Sequence, residues 1–311
     1  MEIEKPNFLI IGSAKCGTTA LASILDGHPD CCMSRPKETS FFQDIMDFEV
    51  NPNYEKGWEW LQRAFKHYSG EPVIGESTPS NSDRFRSPKT ANRIFEFNPK
   101  MKIIYMVRDP LARQISAWKM QWAHGKQNLH PWRREDQWAL QGFNFWMMKQ
   151  RDSGQWTECK YGYQLEAYSD CFPKSQIMVS AIEKWKEDHD TEVGQILEFL
   201  NLDPDRLDSL QPKFANTAND RRQEIAGLGS LRRTSLIRMM VQRLPSTWRN
   251  QWRHHLDRFT SKKLTPPQAD ISAELKDEFL KYIKADLKYQ DSPLREFANY
   301  WPSLDSEADP T

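Results

Sequence analysis

The stretch Phe8–Ala20, FLIIGSAKCGTTA, constrains the fold more than any other part of the chain. Phe8, Leu9, Ile10 and Ile11 are four apolar residues in a row and read as a short buried strand, which Gly12 ends. Ser13 to Thr19 form a loop of mostly small residues around Lys15 and Gly17. Ala20 to Leu25, ALASIL, then reads as a helix. A strand that passes through such a loop into a helix is an anion cradle. The first N–H groups of the helix have no partner within it, and the helix dipole favours negative charge there. Lys15 adds a full positive charge, and Thr18 and Thr19 add hydroxyls. The bland alternative is an ordinary strand-to-helix turn with an exposed lysine. Glycine, lysine and two threonines at one turn favour a phosphate-like ligand over it.

The spacing separates two kinds of phosphate loop. A nucleotide-triphosphatase loop reads G-x-x-x-x-G-K-[ST], with lysine directly after the second glycine. Here Lys15 stands two residues before Gly17, and Thr18 follows the glycine. The loop is shorter and its lysine comes from the other side. In this it resembles the 5′-phosphosulfate loop of the sulfotransferases that use 3′-phosphoadenosine 5′-phosphosulfate (PAPS). The resemblance implies that Lys15, Cys16, Gly17, Thr18, Thr19 and Ala20 hold the phosphosulfate, with Lys15 neutralising charge on the leaving phosphate.

Lys102–Val107, KIIYMV, is the clearest buried strand. Arg108-Asp109-Pro110 closes it, and Leu111 to Gln121 reads as a helix with Pro110 at its start. The carboxyl end of such a strand is where an α/β sheet binds ligands. Taken alone, Arg108 and Asp109 read equally as an ion pair, and Ser116 as a solvent-facing serine. The string R-D-P-x-x-R-x-x-S, Arg108 to Ser116, is similar to the 3′-phosphate-binding element of the same family and follows the phosphosulfate loop in the expected order. The resemblance therefore assigns Arg108 and Ser116 to the 3′-phosphate. Phe214 to Arg222 sits about where the family closes its cofactor site with a basic loop, which implies Arg221 and Arg222 as further ligands.

Lys37-Glu38-Thr39-Ser40-Phe41-Phe42 reads by itself as a surface charge anchored by a buried aromatic pair. Its position resembles the segment of heparan-sulfate-type sulfotransferases that ends in two phenylalanines. In that family the glutamate three residues before the pair is the catalytic base; here that residue is Glu38. This chain has Ser40 where some members have histidine. Val73 to Pro79, VIGESTP, reads as a strand ending in a turn. The family often has a lysine after its glutamate there, helping to hold the sulfuryl group. This chain has Ser77, so either the role is lost or another residue, such as Lys37, fills it.

Between Trp118 and Trp156 lie six tryptophans with histidine, glutamine and arginine among them. They read either as a helical packing layer or as a wall of an acceptor pocket, since sugars and polycyclic substrates stack on aromatic faces. Trp118, Trp122 and Tyr161 are the candidates for the second reading. Tyr161 to Tyr168 reads as a helix, Gln176–Ser180 as the last clear strand and Glu192–Leu200 as an amphipathic helix. From residue 221 to 263, nine arginines and two lysines face only Glu224 and Asp257. Leu236, Ile237, Met240, Val241 and Leu244 follow a helical period, so much of this run is a solvated basic face.

Over the 311 residues, 43 basic side chains balance 43 acidic ones, and net charge points to neither nucleic acid nor a membrane surface. No apolar run approaches the roughly 18–20 residues of a membrane span, and the N-terminus lacks the pattern of a signal peptide. Five cysteines, Cys16, Cys31, Cys32, Cys159 and Cys171, form no CxxC pair and no even framework, which suits a reduced, cytoplasmic setting. Cys16 lies next to Lys15 at a helix N-terminus, a setting that lowers a thiol pKa. It is expected to be the most readily alkylated of the five.

The resemblance implies a single α/β domain over 1–311, with a central mainly parallel sheet flanked by helices in the P-loop-like sulfotransferase fold. Its core runs from about 7 to 205, with a basic helical part at 206–302 and a frayed tail at 303–311. The implied reaction moves a sulfuryl group from PAPS to a hydroxyl or amine of a small-molecule or glycan acceptor, leaving adenosine 3′,5′-bisphosphate. No metal is called for. Two rivals stand beside this reading. One is a P-loop kinase, which needs lysine beside the second glycine and a carboxylate for Mg²⁺. The other is a nucleotide- or glycan-binding protein of the same fold without chemistry.

Overall fold

In the computed structural model of the chain, the described residues are 2–46, 49–206, 222–224, 261–287 and 294–304. The strands are β1 (Phe8–Gly12), β2 (Cys31–Met33), β3 (Ile45–Met46), β4 (Glu49–Val50), β5 (Val73–Glu76), β6 (Lys102–Val107), β7 (Ile177–Ala181), β8 (Arg222–Glu224) and β9 (Ser261–Lys263). The helices are α1 (Thr18–Asp26), α2 (Trp58–Leu61), α3 (Thr90–Phe97), α4 (Pro110–Gln127), α5 (Arg134–Ala139), α6 (Phe143–Asp152), α7 (Tyr161–Ser169), α8 (Ile182–Glu187), α9 (His189–Leu200), α10 (Ala273–Leu287) and α11 (Arg295–Ala298).

Five strands form one parallel sheet in the order β2-β5-β1-β6-β7. Every residue of β1 is buried. That continuous apolar run is what a parallel strand covered on both faces requires. β1 pairs with β6 in register, Leu9 opposite Ile103 and Ile10 opposite Ile104, until a shift sets Gly12 opposite Tyr105. The expected strands at Phe8–Ile11, Lys102–Val107 and Gln176–Ser180 are present within a residue or so at each end, and the strand expected to open Val73–Pro79 spans Val73–Glu76.

The chain divides into two compact units. The first comprises Met1–Gln114, Gln150–Ala215 and Ser272–Thr311 and contains the whole sheet. The second comprises Ile115–Lys149 and Asn216–Ile271. Within it, the Trp118 indole donates to the Ala139 carbonyl at 3.0 Å and its ring lies 5.4 Å from Phe143. The Trp146 indole donates to Gln121 at 2.6 Å. Trp118 and Trp146 thus serve the helical packing layer, whereas Trp132 is exposed.

Helix α4 runs to Gln127, past the expected end at Gln121. Gly125 lies within this extension, where a Cβ would meet the Asp136 carbonyl at 2.7 Å, so the glycine marks close packing. Helix α10 falls within the part read as helical at 206–302 and buries Leu275, Phe279, Leu280 and Ile283 on one face. The tail boundary also moves. The Ser303 N–H donates to Asp109 at 2.9 Å, so Ser303 is fastened to the first unit instead of opening a frayed tail. The helical period expected at Leu236–Leu244 lies outside the described residues.

Gly75 of β5 faces Phe8 of β1, and a Cβ on it would sit 2.3 Å from the Phe8 ring, which is wholly buried. Gly75→Ala is therefore expected to destabilise the protein by about 1–3 kcal/mol through overpacking. Denaturant unfolding measures this, and an unchanged midpoint would show that the sheet relaxes freely.

Candidate functional site

Parallel strands end on one side, so the loops after β1, β2, β5 and β6 of the first unit gather along one edge of its sheet. The loop after β1 is built by its backbone. The Ser13 N–H donates to Met106 at 2.6 Å, and the Cys16 N–H turns back to Ser13 at 3.2 Å. Lys15 has φ +72° and Gly17 φ +91°. The positive φ at Lys15 is a strained conformation for a side chain with a Cβ, of a kind that concentrates at ligand sites. At Gly17 a Cβ would also strike Ile182 at 2.7 Å.

Two arginines hold the loop from behind. Arg108 donates to the Lys15 carbonyl at 3.2 Å, and Arg113 donates through Nε to the Ala14 carbonyl at 3.1 Å. Arg113 is buried and pairs with Glu158, whose other oxygen takes Arg86, which in turn pairs with Asp83. Burial pushes the Glu158 carboxyl up, but Arg86 and Arg113 outweigh burial and hold it below the usual carboxylate range. This network was invisible in the sequence, because its four members come from three separate loops and helices that only the fold brings together.

The segment after β2 lies next to the loop. Lys37 Nζ donates to Thr19 Oγ1 at 3.2 Å and pairs with Glu38 Oε1 at 2.9 Å. An ammonium therefore links Glu38 to the first turn of α1. Glu38 is 53% exposed. A second carboxylate, Glu76, is wholly buried just behind. It accepts from Thr39 Oγ1 at 3.1 Å, Thr78 Oγ1 at 2.6 Å, Asn81 Nδ2 at 2.9 Å and the Thr39 N–H at 3.4 Å. Burial raises its pKa despite these donors. Ser77 is buried too, and its N–H donates to the Lys37 carbonyl at 3.1 Å.

The remaining sequence candidates separate. Thr18 and Ala20 are buried in the first turn of α1 and Thr19 is half-buried. Arg108 belongs to the first unit and Ser116, half-buried on α4, to the second. Trp118 and Tyr161 are wholly buried and Trp122 nearly so, which leaves none of the three with an open ring face for an acceptor. Tyr161 instead donates to the Arg108 carbonyl at 2.8 Å. Arg222 opens β8, and Arg221 lies outside the described residues. Cys16 is also corrected. It is buried, within 3.8 Å of the Tyr161 hydroxyl, and burial pushes its thiol up to about 11. Desolvation outweighs the N-terminal setting.

A dianionic ligand fits this set. Among the described residues no side chain caps α1 at Gly17, and the N–H groups ahead of Ala20, whose own amide donates to Gly17, suit an anion. Arg108 Nε is buried with no hydrogen-bond partner among the described residues. Among those residues no group of acidic, histidine or cysteine side chains would hold a metal ion, and no helix is long and apolar enough to cross a membrane.

Residues 5–266 match the family described as the sulfotransferase domain. The chain is 34% identical over 131 residues to the membrane-associated sulfotransferase kil1 of Dictyostelium discoideum, covering 40% of this chain and 25% of that protein. It is 28% identical over 222 residues to the bifunctional heparan sulfate N-deacetylase/N-sulfotransferase 4 of Mus musculus, covering 64% of this chain and 22% of that one. The chain thus spans about a quarter of the length of these curated relatives or less. In fold it is similar to the crystal structure of a sulfotransferase from Alicyclobacillus acidocaldarius, with a TM-score of 0.54 and 19% identity over 92% of this chain and 94% of that one.

The cysteines provide a check on the loop's packing. Cys171, the one cysteine that is not buried, is expected to alkylate first in the native protein, and Cys16 to lag behind it. Peptide mapping after brief alkylation measures this. Early labelling of Cys16 would mean that the loop opens far more readily than its packing implies.

Proposed function

Since the chain belongs to the sulfotransferase domain family, we propose that it transfers a sulfuryl group from PAPS to a hydroxyl or amine of a glycan or small molecule. The observation that carries this reading is the path Thr19–Lys37–Glu38, which sets an accessible carboxylate and an ammonium at the mouth of the phosphate-type loop. PAPS supplies an activated sulfuryl group whose leaving group is a phosphate. The first N–H groups of α1 and the Lys15 ammonium take up the negative charge that collects on that phosphate. Arg108 and Ser116 bind the 3′-phosphate, with Arg221 and Arg222 as further basic ligands.

Glu38 takes the acceptor's proton. The choice between Glu38 and Glu76 follows from access. Glu76 is wholly enclosed, with its oxygens engaged by four donors, whereas Glu38 is half exposed and pairs with Lys37. Lys37 takes the role that the family gives to a lysine at the position of Ser77. Its ammonium reaches the loop from the neighbouring strand end, and the Ser77 N–H holds the Lys37 backbone in place. Asp109 accepts from the amides of Ala112 and Ser303, an engagement that argues against a kinase in which it would hold Mg²⁺. The heparan-sulfate names of the relatives support a glycan acceptor. Five free cysteines support a reducing, cytoplasmic setting.

Transfer of ³⁵S from labelled PAPS to a glycan and metabolite panel tests the reading. Lys15→Ala is expected to reduce transfer by about 10²-fold or more with little effect on thermal unfolding, because the side chain acts on charge in a loop. Near wild-type turnover in that variant removes the loop from the site. Glu38→Gln is expected to bind adenosine 3′,5′-bisphosphate as the wild type does and to lose about 10²–10⁴-fold in kcat. Normal turnover would leave Glu38 as a surface charge beside Lys37.

A further inference from the structure

The 3′-phosphate element has an unexpected support. Four of the hydrogen bonds at Arg108 and Asp109 tie this corner to other parts of the first unit or to the start of α4. Tyr161 donates to the Arg108 carbonyl at 2.8 Å, and the Asp109 N–H donates to Glu183 at 3.1 Å. One carboxylate oxygen of Asp109 accepts from the Ala112 N–H at 2.9 Å, capping α4, and the other accepts from the Ser303 N–H at 2.9 Å. Two of these pins depend on residues beyond the 5–266 matched by the family. Ser303 supplies one directly. Trp301 backs the other, its ring lying against Tyr161 at 5.6 Å and 62°, both side chains wholly buried. Asp286 of α10 holds the start of α7, the helix that Tyr161 opens, accepting from the Gly162 and Tyr163 N–H groups at 2.8 and 2.9 Å.

The segment is built into the first unit. Leu294, Phe297 and Trp301 belong to the same buried cluster as Tyr161, Ile182 and Trp185. Lys184 pairs with Glu296 at 3.3 Å and sits 4.7 Å over the Phe297 ring. Its effect on the site is electrostatic. Asp109 is the immediate neighbour of Arg108, yet both its oxygens are occupied by amides. Among the described residues the Arg108 guanidinium keeps one bond, to the Lys15 carbonyl, and its Nε is buried without a partner. Burial raises the Glu183 carboxyl and the Arg108 charge lowers it. Among the described residues, however, no carboxylate forms an ion pair with Arg108, and a guanidinium in that state can bind a phosphate bidentately.

We infer that the segment Leu294–Leu304 is a positioning element for the 3′-phosphate: the Ser303 amide, seated by Trp301, holds the Asp109 carboxylate away from Arg108 and so reserves that guanidinium for the ligand. Ser303, Trp301 and Asp286 are positioning residues that act through Asp109 and Tyr161. The inference rests on the reading of Arg108 as a 3′-phosphate ligand, and it adds a charge competition that the family element does not itself contain.

Calorimetric titration of the full chain with adenosine 3′,5′-bisphosphate and with AMP tests it, with no turnover needed. The wild type is expected to prefer the bisphosphate. Ser303→Pro, which removes the N–H, is expected to cut that preference about three- to tenfold, the range of one net hydrogen bond, while leaving AMP affinity unchanged. Ser303→Ala keeps the N–H and is expected to keep the preference. Should Ser303→Pro unfold, an α-hydroxy acid at position 303 replaces only the N–H by oxygen and gives the same readout. In an Asp109→Asn background, which retains the cap on α4 but has no charge to compete, the loss of the 303 N–H is expected to change nothing. A mere packing role predicts equal losses for both nucleotides in both backgrounds, and that result overturns the inference. So does an undiminished preference when the N–H is removed, if Arg108→Ala abolishes it; in that case the 3′-phosphate site itself stands. If Arg108→Ala also retains the preference, the site reading and the inference fall together.

Discussion

The site depends on the parallel pairing of β1 with β5 on one side and β6 on the other. Parallel neighbours end on the same edge, so residues far apart in the chain arrive at one place without any long-range signal of their own. The loop from Ser13 to Gly17, the turn at Glu76–Asn81 and the Arg108-Asp109 corner are consecutive along that edge because β5, β1 and β6 are consecutive in the sheet. The register shift at Gly12 and the Ser13 bond to Met106 then fasten the loop to the end of β6. Gly75, with its close approach to Phe8, is part of the same pairing.

Around this edge the protein sorts its carboxylates by what encloses them. Glu76 is surrounded by neutral donors and burial raises its pKa, so it ties Thr39, Thr78 and Asn81 into one turn under the Lys37–Phe42 segment. Glu158 is buried between two arginines, stays below the usual carboxylate range, and through Arg113 reaches the Ala14 carbonyl. Asp109 is spent on two backbone amides. Glu38 differs from all three in being open to solvent with a lysine at its side. The same side-chain chemistry thus serves as a pin, an ion-pair bridge, a cap and a candidate base, and desolvation decides which.

Arginine and lysine divide in a similar way. Arg108 and Arg113 each offer a planar fork that can hold a carbonyl while another edge remains for a second partner. They fix the loop carbonyls of Lys15 and Ala14. Lys37, a flexible point charge, spans from Glu38 to Thr19 instead. The rigid cations shape the cradle and the mobile one bridges its mouth.

Much of the fold was legible in the sequence because strands and helices of a parallel sheet are local patterns. The runs FLIIG, KIIYMV and IMVSA are short and mostly apolar, VIG opens the stretch before Glu76, and each became a sheet strand. The cradle was legible for the same reason, since Lys15, Gly17, Thr18 and Thr19 lie within five residues. What the sequence could not carry was every relation that depends on burial or on distant partners. Cys16 read as an activated thiol by its neighbours in the chain, yet Tyr161 and the surrounding core desolvate it. Trp118 and Tyr161 were candidates for an acceptor wall as much as for packing, and both are enclosed. Glu158, Asp286 and Ser303 carried no signal at all, because each acts on a residue more than forty positions away. The local backbone pattern was determined by the sequence itself, since periodicity and turn chemistry act between near neighbours. Which charges are free and which are already engaged was decided only by the tertiary structure, because desolvation and pairing are properties of the packed interior.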